Sequence, residues 1–260
     1  MGTTIAAINA MAQVLQNLLG QLHTLDALTM PPPARNHVRI VVLRRLARQM
    51  ETPFPHRFGH GERTARVALA LGEAAHIPAT ELQDLHYAAL LHDIGLLALP
   101  RHLIGVDHPL DLDDYALVQS HPRAGAQILN PVRFLREAAR LVAFHHERWD
   151  GTGYPYGLRG EYVPLPARIL GIADVFDSLT MQSASVIQSL RILQASSGTQ
   201  FDPALIARLK SLPLDRITEG ISSGEVHRIV QVTDFGAGRA LPLRQEEGAS
   251  VPPEVPSSSN

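Results

Sequence analysis

The sequence predicts an all-α domain with a helical N-terminal extension and a C-terminal tail expected to be disordered. Three observations carry this reading. Apolar residues recur at alternating three- and four-residue spacings in several separate segments, the period of one helix face. Proline, glycine and aspartate punctuate those segments where helices start or stop. A single short stretch, Val226–Val232, reads as a strand.

Residues 4–26 form the first predicted helix. Ile5, Ile8, Ala12, Leu15, Leu19 and Leu22 make a heptad-like seam. Such a seam serves equally as a dimerising coil, a signalling lever or a helix packed on its own domain. Pro31-Pro32-Pro33 breaks the chain, and a second helix runs from about His37 to Met50. A third begins near His56, where His60, Thr64, Val67 and Leu71 lie one above another. The fourth spans Ala79 to Ile94, with Leu82, Leu85, Ala89 and His92 on one face and Gly95 as its stop. After a loop, Asp113 is placed to cap a short helix ending at Ser120. His121-Pro122 opens the next, with proline in the first turn.

Leu135, Ala138, Val142, His145 and Trp149 repeat the helical spacing. The glycine-rich stretch from Asp150 to Gly160 reads as a loop. Pro164 and Pro166 lead into a helix that aligns Leu170, Asp174 and Asp177. Weaker helical segments cover Val186–Leu193 and Pro203–Leu212, and the signal fades from Pro213. Residues 244–260 are rich in proline, serine and glutamate, the composition of a disordered tail. The division is therefore 1–50, 51–212 and 213–260: an N-terminal helical region, the main domain, and an irregular extension.

Composition narrows the functions. There are no cysteines among the 260 residues, so disulfides, thiolate metal sites and cysteine nucleophiles are excluded. A net charge of -2 gives no electrostatic case for a nucleic-acid polymer partner. Gln13, Gln16, Asn17 and Gln21 interrupt the only apolar N-terminal run. No membrane span or signal peptide is expected, and a cytoplasmic location follows. No phosphate-binding Gly-Lys-Ser/Thr loop and no Gly-x-Ser-x-Gly elbow occurs.

The outlier is histidine, with 13 in the chain. His60, His92, His145 and Asp174 each extend an apolar stripe on a different helix, and His121 starts a fifth. Burying an imidazole or carboxylate is costly unless it is paired. Divalent cations offset that cost for the whole set, and imidazole with carboxylate suits Fe, Mn or Zn. His92-Asp93 and His145-His146 each present two ligands where a helix ends, and Asp93 can bridge two cations. Two metals roughly 3.5–4 Å apart clamp a phosphodiester and deprotonate water.

These residues lie within a longer series of ordered motifs. Gly59-His60 with Arg63 comes first, then Leu90-Leu91-His92-Asp93-Ile94-Gly95 and Leu99-Pro100. His121-Pro122 with Gly125 follows, and then His145-His146-Glu147-Arg148-Trp149-Asp150-Gly151-Thr152-Gly153-Tyr154-Pro155. Pro164-Leu165-Pro166-Ala167-Arg168-Ile169, Ala173-Asp174-Val175-Phe176-Asp177 and Gly198-Thr199-Gln200-Phe201-Asp202-Pro203 complete it. From about Glu51 to Leu209 the chain resembles the HD-GYP domain family of the HD phosphohydrolase superfamily.

The resemblance implies an HD-type helical domain that hydrolyses cyclic di-GMP to the linear dinucleotide or GMP. It implies two or three metals, often iron, of which two divalent ions, Fe or Mn, are expected here, held by His60, His92, Asp93, His121, His145, His146 and Asp174. His92 and Asp93 would serve catalysis directly, and Asp177 and Glu147 would support the ligands. Arg148 and Arg168 are candidate substrate contacts. Gly153-Tyr154-Pro155 matches the family's naming loop and is a candidate contact for a signalling partner. Separately from the resemblance, the seam of the N-terminal helix makes a homodimer one of its readings.

The chain departs from the family at three places. Leu96 stands where a lysine usually holds a substrate phosphate, which weakens phosphate binding. Met181-Gln182-Ser183-Ala184 replaces an arginine–tyrosine segment that contacts the nucleotide. His56 stands where three-metal members carry a glutamate; its i, i+4 spacing from His60 makes it a candidate extra ligand, but an exposed first-turn residue and two metals are expected. The first two departures support an alternative, a weakly active or non-catalytic regulator that binds metal and signals through partners.

Overall fold

The computed structural model describes residues 16–17, 20–25, 27, 29–52, 57–100, 103, 111–182 and 185–218. The fold of these residues is all-α, and no strand occurs among them. The chain order is α1 (Pro32–Glu51), α2 (His60–Ala74), α3 (Ala79–Leu91) and a 3-10 segment (His92–Ala98). Then come α4 (Leu112–Val118), α5 (His121–Leu129) and α6 (Arg136–Phe144). They are followed by α7 (Leu165–Gln182), α8 (Val186–Ala195), α9 (Pro203–Ser211) and α10 (Leu214–Thr218). None of the helices among the described residues is long and apolar enough to cross a membrane.

Helix α7 is the axis of the core. Ile169, Leu170, Ile172, Ala173 and Phe176 are all buried, so it is apolar on several faces. Helix α2 packs against it and against α3. The stripe His60, Thr64, Val67 and Leu71 is buried along its whole length. Leu43, Leu46, Ala47 and Met50 of α1 belong to the same buried cluster, as do Leu22 and Leu25. Helix α1 is thus part of the packed body, and the division at residue 51 runs through it. Truncating a leucine in such a core costs about 2–5 kcal/mol.

Several boundaries differ from the sequence expectation, each for a local reason. Helix α1 starts at Pro32, not near His37. Proline in a first turn gives up only a backbone N–H that has no intrahelical partner. Helix α2 begins at His60 rather than His56, because Gly59 turns the chain with a φ of 78°. The cap of α4 is Asp111, whose carboxylate accepts from Asp114 N at 2.8 Å, not Asp113. Helix α3 ends at Leu91 instead of Ile94, and the chain tightens into the 3-10 segment. Gly95 lies inside that segment and is not a helix stop. A short helix, α10, continues past Pro213.

His86 is buried in α3, and its Nε2 has no hydrogen-bond partner. Burial, with Arg44 nearby, lowers its pKa to about 4. The folded protein therefore holds His86 neutral, whereas the unfolded chain protonates it near pH 6.5. Stability contributed by the neutral form is complete above pH 6.5 and is lost as pH falls towards 4. Wild type should lose about 3 kcal/mol across that window that His86→Leu keeps. Denaturant melts of both proteins at pH 7 and pH 4 check this; parallel pH profiles would exclude it.

The seam over residues 4–26 lies mostly outside the described residues. So do His56, His102, His108, Val226–Val232 and residues 244–260.

Candidate metal centre

The 3-10 segment, α2, α5, α7 and the end of α6 converge on one buried cluster. His60 enters from the first turn of α2, and His92 and Asp93 from the first turn of the 3-10 segment. His121 comes from the start of α5, and His145 and His146 from just past α6. Asp174 comes from the middle of α7. The structure thus brings together all seven residues that the resemblance named as ligands.

They fall into two trios. His60, His92 and Asp174 form one, and His121, His145 and His146 the other. In the first, His60 Nε2 is 3.1 Å from both His92 Nε2 and Asp174 Oδ1. In the second, His121 Nε2 is 3.3 Å from His145 Nε2. Ligands about 2.1 Å from one cation stand about 3.0–3.4 Å apart in octahedral or tetrahedral sites. Asp93 lies between the trios. Its Oδ2 is 3.3 Å from His92 Nε2, and its Oδ1 is 3.8 Å from His121 Nε2. One carboxylate thus offers an oxygen to each trio.

The tautomers are set from outside. His92, His121 and His145 donate Nδ1–H to the carbonyls of Ala89, Val118 and Val142, at 2.9, 2.8 and 2.6 Å. His60 Nδ1 donates to Asp177 Oδ2 at 2.7 Å. His60 and His92, whose pKa values are raised, hold a proton at Nε2 when no cation is bound, whereas His121 and His145 are neutral and turn bare Nε2 lone pairs towards their neighbours. Such lone pairs repel unless a shared cation takes them. The donor set of imidazole nitrogens and carboxylate oxygens fits a divalent metal.

The electrostatics divide the same way. Burial pushes the His145 pKa well below the usual value, and His146 and His121 reinforce it. Burial also pushes His146 down to about 3. Both are neutral, as metal ligands must be. Burial opposes the ionised form of Asp93, but Arg57 and His92 outweigh it and hold the carboxyl well below its usual range. Burial likewise opposes protonated His92, but Asp93 and Asp174 overcome it and raise its pKa well above normal.

Around this cluster sits a supporting layer. Asp177 accepts from Arg63 Nε at 2.7 Å as well as from His60. The Glu51 carboxylate accepts from Gly59 N at 2.6 Å and Gly61 N at 2.8 Å, fixing the start of the helix that carries His60. Glu147 accepts from Tyr156 N and Leu158 N, so it holds the glycine loop rather than a ligand. Gly153 packs on the same backbone, where an added Cβ would lie 2.4 Å from Arg148 N. The Tyr154 ring stacks on His146, centroid to centroid 4.9 Å. The Tyr154–Pro155 peptide is cis.

Other candidates have structural partners. Arg148 binds Asp150 and Thr152. Arg168 pairs with Asp202 at 2.5 Å and lies over the half-buried Trp149 ring. Leu96 is 6% exposed and packs with Leu99, Leu103 and Val118. Two contributors were not singled out in the sequence. Glu51 and Arg57 lie in a helix end and a turn, where no periodic pattern marks them. Arg57 Nη2 donates to Asp93 Oδ2.

Comparison with known proteins agrees with this geometry. The family model described as an HD domain matches residues 45–205. The cyclic di-GMP phosphodiesterase response regulator RpfG of Xanthomonas campestris is 36% identical over 174 residues, covering 64% of this chain and 46% of that protein. The 3'3'-cGAMP-specific phosphodiesterase 3 of Vibrio cholerae is 30% identical over 190 residues, covering 69% and 41%. The chain therefore spans less than half the length of these curated relatives. Among solved structures, a cyclic GMP-AMP-specific phosphodiesterase of V. cholerae, V-cGAP3, superposes with a TM-score of 0.56 at 24% identity. That match covers 66% of this chain and 47% of the other. Bd1817, an HDG"Y"P protein from Bdellovibrio bacteriovorus, gives 0.50 at 25% identity, covering 58% and 50%. With the HD model matched over most of its length, the chain belongs to the HD domain family, within its HD-GYP group.

Proposed function

We propose that this chain is a metal-dependent phosphodiesterase acting on a cyclic dinucleotide, cyclic di-GMP first among them. One observation carries the reading: two ligand trios joined by a single carboxylate that faces both. That arrangement suits two divalent ions, Fe or Mn, with His60, His92 and Asp174 on one side and His121, His145 and His146 on the other. When bound, such ions acidify a water and withdraw charge from a phosphodiester.

The chain's own residues supply the rest. Asp93 places an oxygen in each half of the site and is suited to orient the attacking water. The carbonyls of Ala89, Val118 and Val142, with Asp177, keep the imidazoles in the ligating tautomer. We assign Arg148 and Arg168 to holding the loop and Trp149, since each is engaged by a carboxylate. Tyr154, stacked on His146, links the Gly153-Tyr154-Pro155 loop to the site, so a partner on that loop would reach the chemistry through one ring.

The relatives divide between cyclic di-GMP and 3'3'-cGAMP in their names, so the test uses both. Anaerobically prepared, Fe(II)- or Mn(II)-loaded protein should release a linear dinucleotide from at least one of them. Protein that holds two metals and turns over neither substrate would replace this reading with the metal-binding regulator.

A further inference from the structure

The ion pair of Arg57 and Asp93 sits at the open side of the cluster. The two side chains are 15% and 18% exposed, against 2% to 11% for His92, His121, His60 and Asp174. The guanidinium is thus among the more accessible groups around the bridging carboxylate. Among the described residues, Nη2 is engaged by Asp93 Oδ2. Among the described residues no second acceptor takes its other N–H groups. They are not buried orphans either, since none is enclosed without a partner.

Other cations near the site are committed to the fold. Arg63 spends its guanidinium on Asp177 and the Phe58 carbonyl. Arg148 and Arg168 are held by Asp150 and Asp202. Carboxylates from Glu51, Asp93, Asp174 and Asp177 surround the histidines. An anionic substrate therefore needs a positive contact at the mouth, and a fork of parallel N–H donors matches phosphate oxygens. Arg57 and Leu96 line the same small cavity beside His60, His92 and Asp93, and the leucine offers no donor there.

We propose that Arg57 is the phosphate-binding cation of this site. Its remaining N–H groups take a non-bridging oxygen of the scissile phosphodiester, while Nη2 keeps its hold on Asp93. The inference rests on the phosphodiesterase reading for its natural ligand, and its test does not depend on turnover.

The full-length chain, loaded with Mn(II), is titrated calorimetrically with inorganic phosphate as wild type, Arg57→Gln and Arg57→Lys. Metal content is measured on each. Arg57→Gln should keep the wild-type metal stoichiometry and bind phosphate at least about tenfold more weakly, the loss expected for a hydrogen bond to a charged group. Arg57→Lys, which keeps the charge, should recover part of the affinity. Unchanged phosphate affinity in Arg57→Gln overturns the proposal. Loss of metal from both variants also overturns it, since Arg57 would then only position Asp93. If wild type binds phosphate through Arg57 yet cleaves no cyclic dinucleotide, the substrate reading fails and this one stands. If wild type cleaves the dinucleotide and Arg57→Gln matches its KM and kcat, this one fails alone.

Discussion

Replacing His92 and Asp93 together by alanine is expected to abolish cyclic dinucleotide turnover, by at least about 10³-fold, the upper end of what one lost charge stabiliser costs. The pair contributes to both halves of the cluster. His92 supplies one member of the first trio, and Asp93 faces both trios. Metal content should fall with activity, which separates this loss from a substrate-binding defect. The single variants should separate the two roles. Asp93→Ala leaves the partly exposed guanidinium of Arg57 without its carboxylate partner. Losing the partner of a partly exposed charged group costs about 1–3 kcal/mol, so metal-free Asp93→Ala should melt below metal-free wild type. His92→Ala removes one partner of Asp93 and Asp174 but leaves the Arg57–Asp93 pair in place, so it should leave the metal-free protein closer to wild type than Asp93→Ala does. Turnover that survives in the double variant, with metal still bound, would remove this cluster from the chemistry.

Gly95→Ala is expected to have the second-largest effect, although residue 95 is no ligand. An added Cβ would lie 1.9 Å from the His121 carbonyl oxygen and 2.6 Å from Gly125 N. Both are backbone atoms, and no rotamer relieves the clash. Carbon and carbonyl oxygen approach to about 3.3 Å at closest, so α5 would have to retreat by more than an ångström. His121 rides on the first turn of that helix. Overpacking of this kind costs about 3 kcal/mol or more. A misplacement of about 1 Å in a catalytic group costs about 10²-fold in rate. Denaturant melts, metal content and turnover on the same preparation check the prediction. A variant within 1 kcal/mol of wild type would show that α5 does not hold Gly95 as tightly as the packing requires.

These two expectations divide along the line between sequence and structure. Much of the clustered set was legible because His60, His92, His145 and Asp174 each extend an apolar stripe, and a polar group on a buried face calls for a partner; Asp93 and His146 were legible only as neighbours of those residues. The stripe from His60 to Leu71, buried throughout, shows the periodicity at its most informative. Helix ends were less legible. The 3.6-residue period says which face is buried but not where the last hydrogen bond forms. The shift at Gly95 illustrates this: glycine there accommodates the backbone of α5, a contact between segments about 25 residues apart. Glu51 and Arg57 stayed hidden for the same reason. A carboxylate at a helix end and an arginine in a turn look solvated until the fold brings Gly61 N and Asp93 against them.

By itself, the amino-acid sequence determined the all-α class, the helix faces, the polar residues that must meet and the family. Helical periodicity and the cost of burying imidazole and carboxylate groups are local facts of composition and spacing. The tertiary structure alone decided that the candidate ligands divide into two trios around Asp93. It also decided that Leu96 packs inward while Arg57 reaches the open side, and that Tyr154 stacks on His146. Those outcomes depend on distances between helices, and close packing sets such distances from the shapes of residues far apart in the chain.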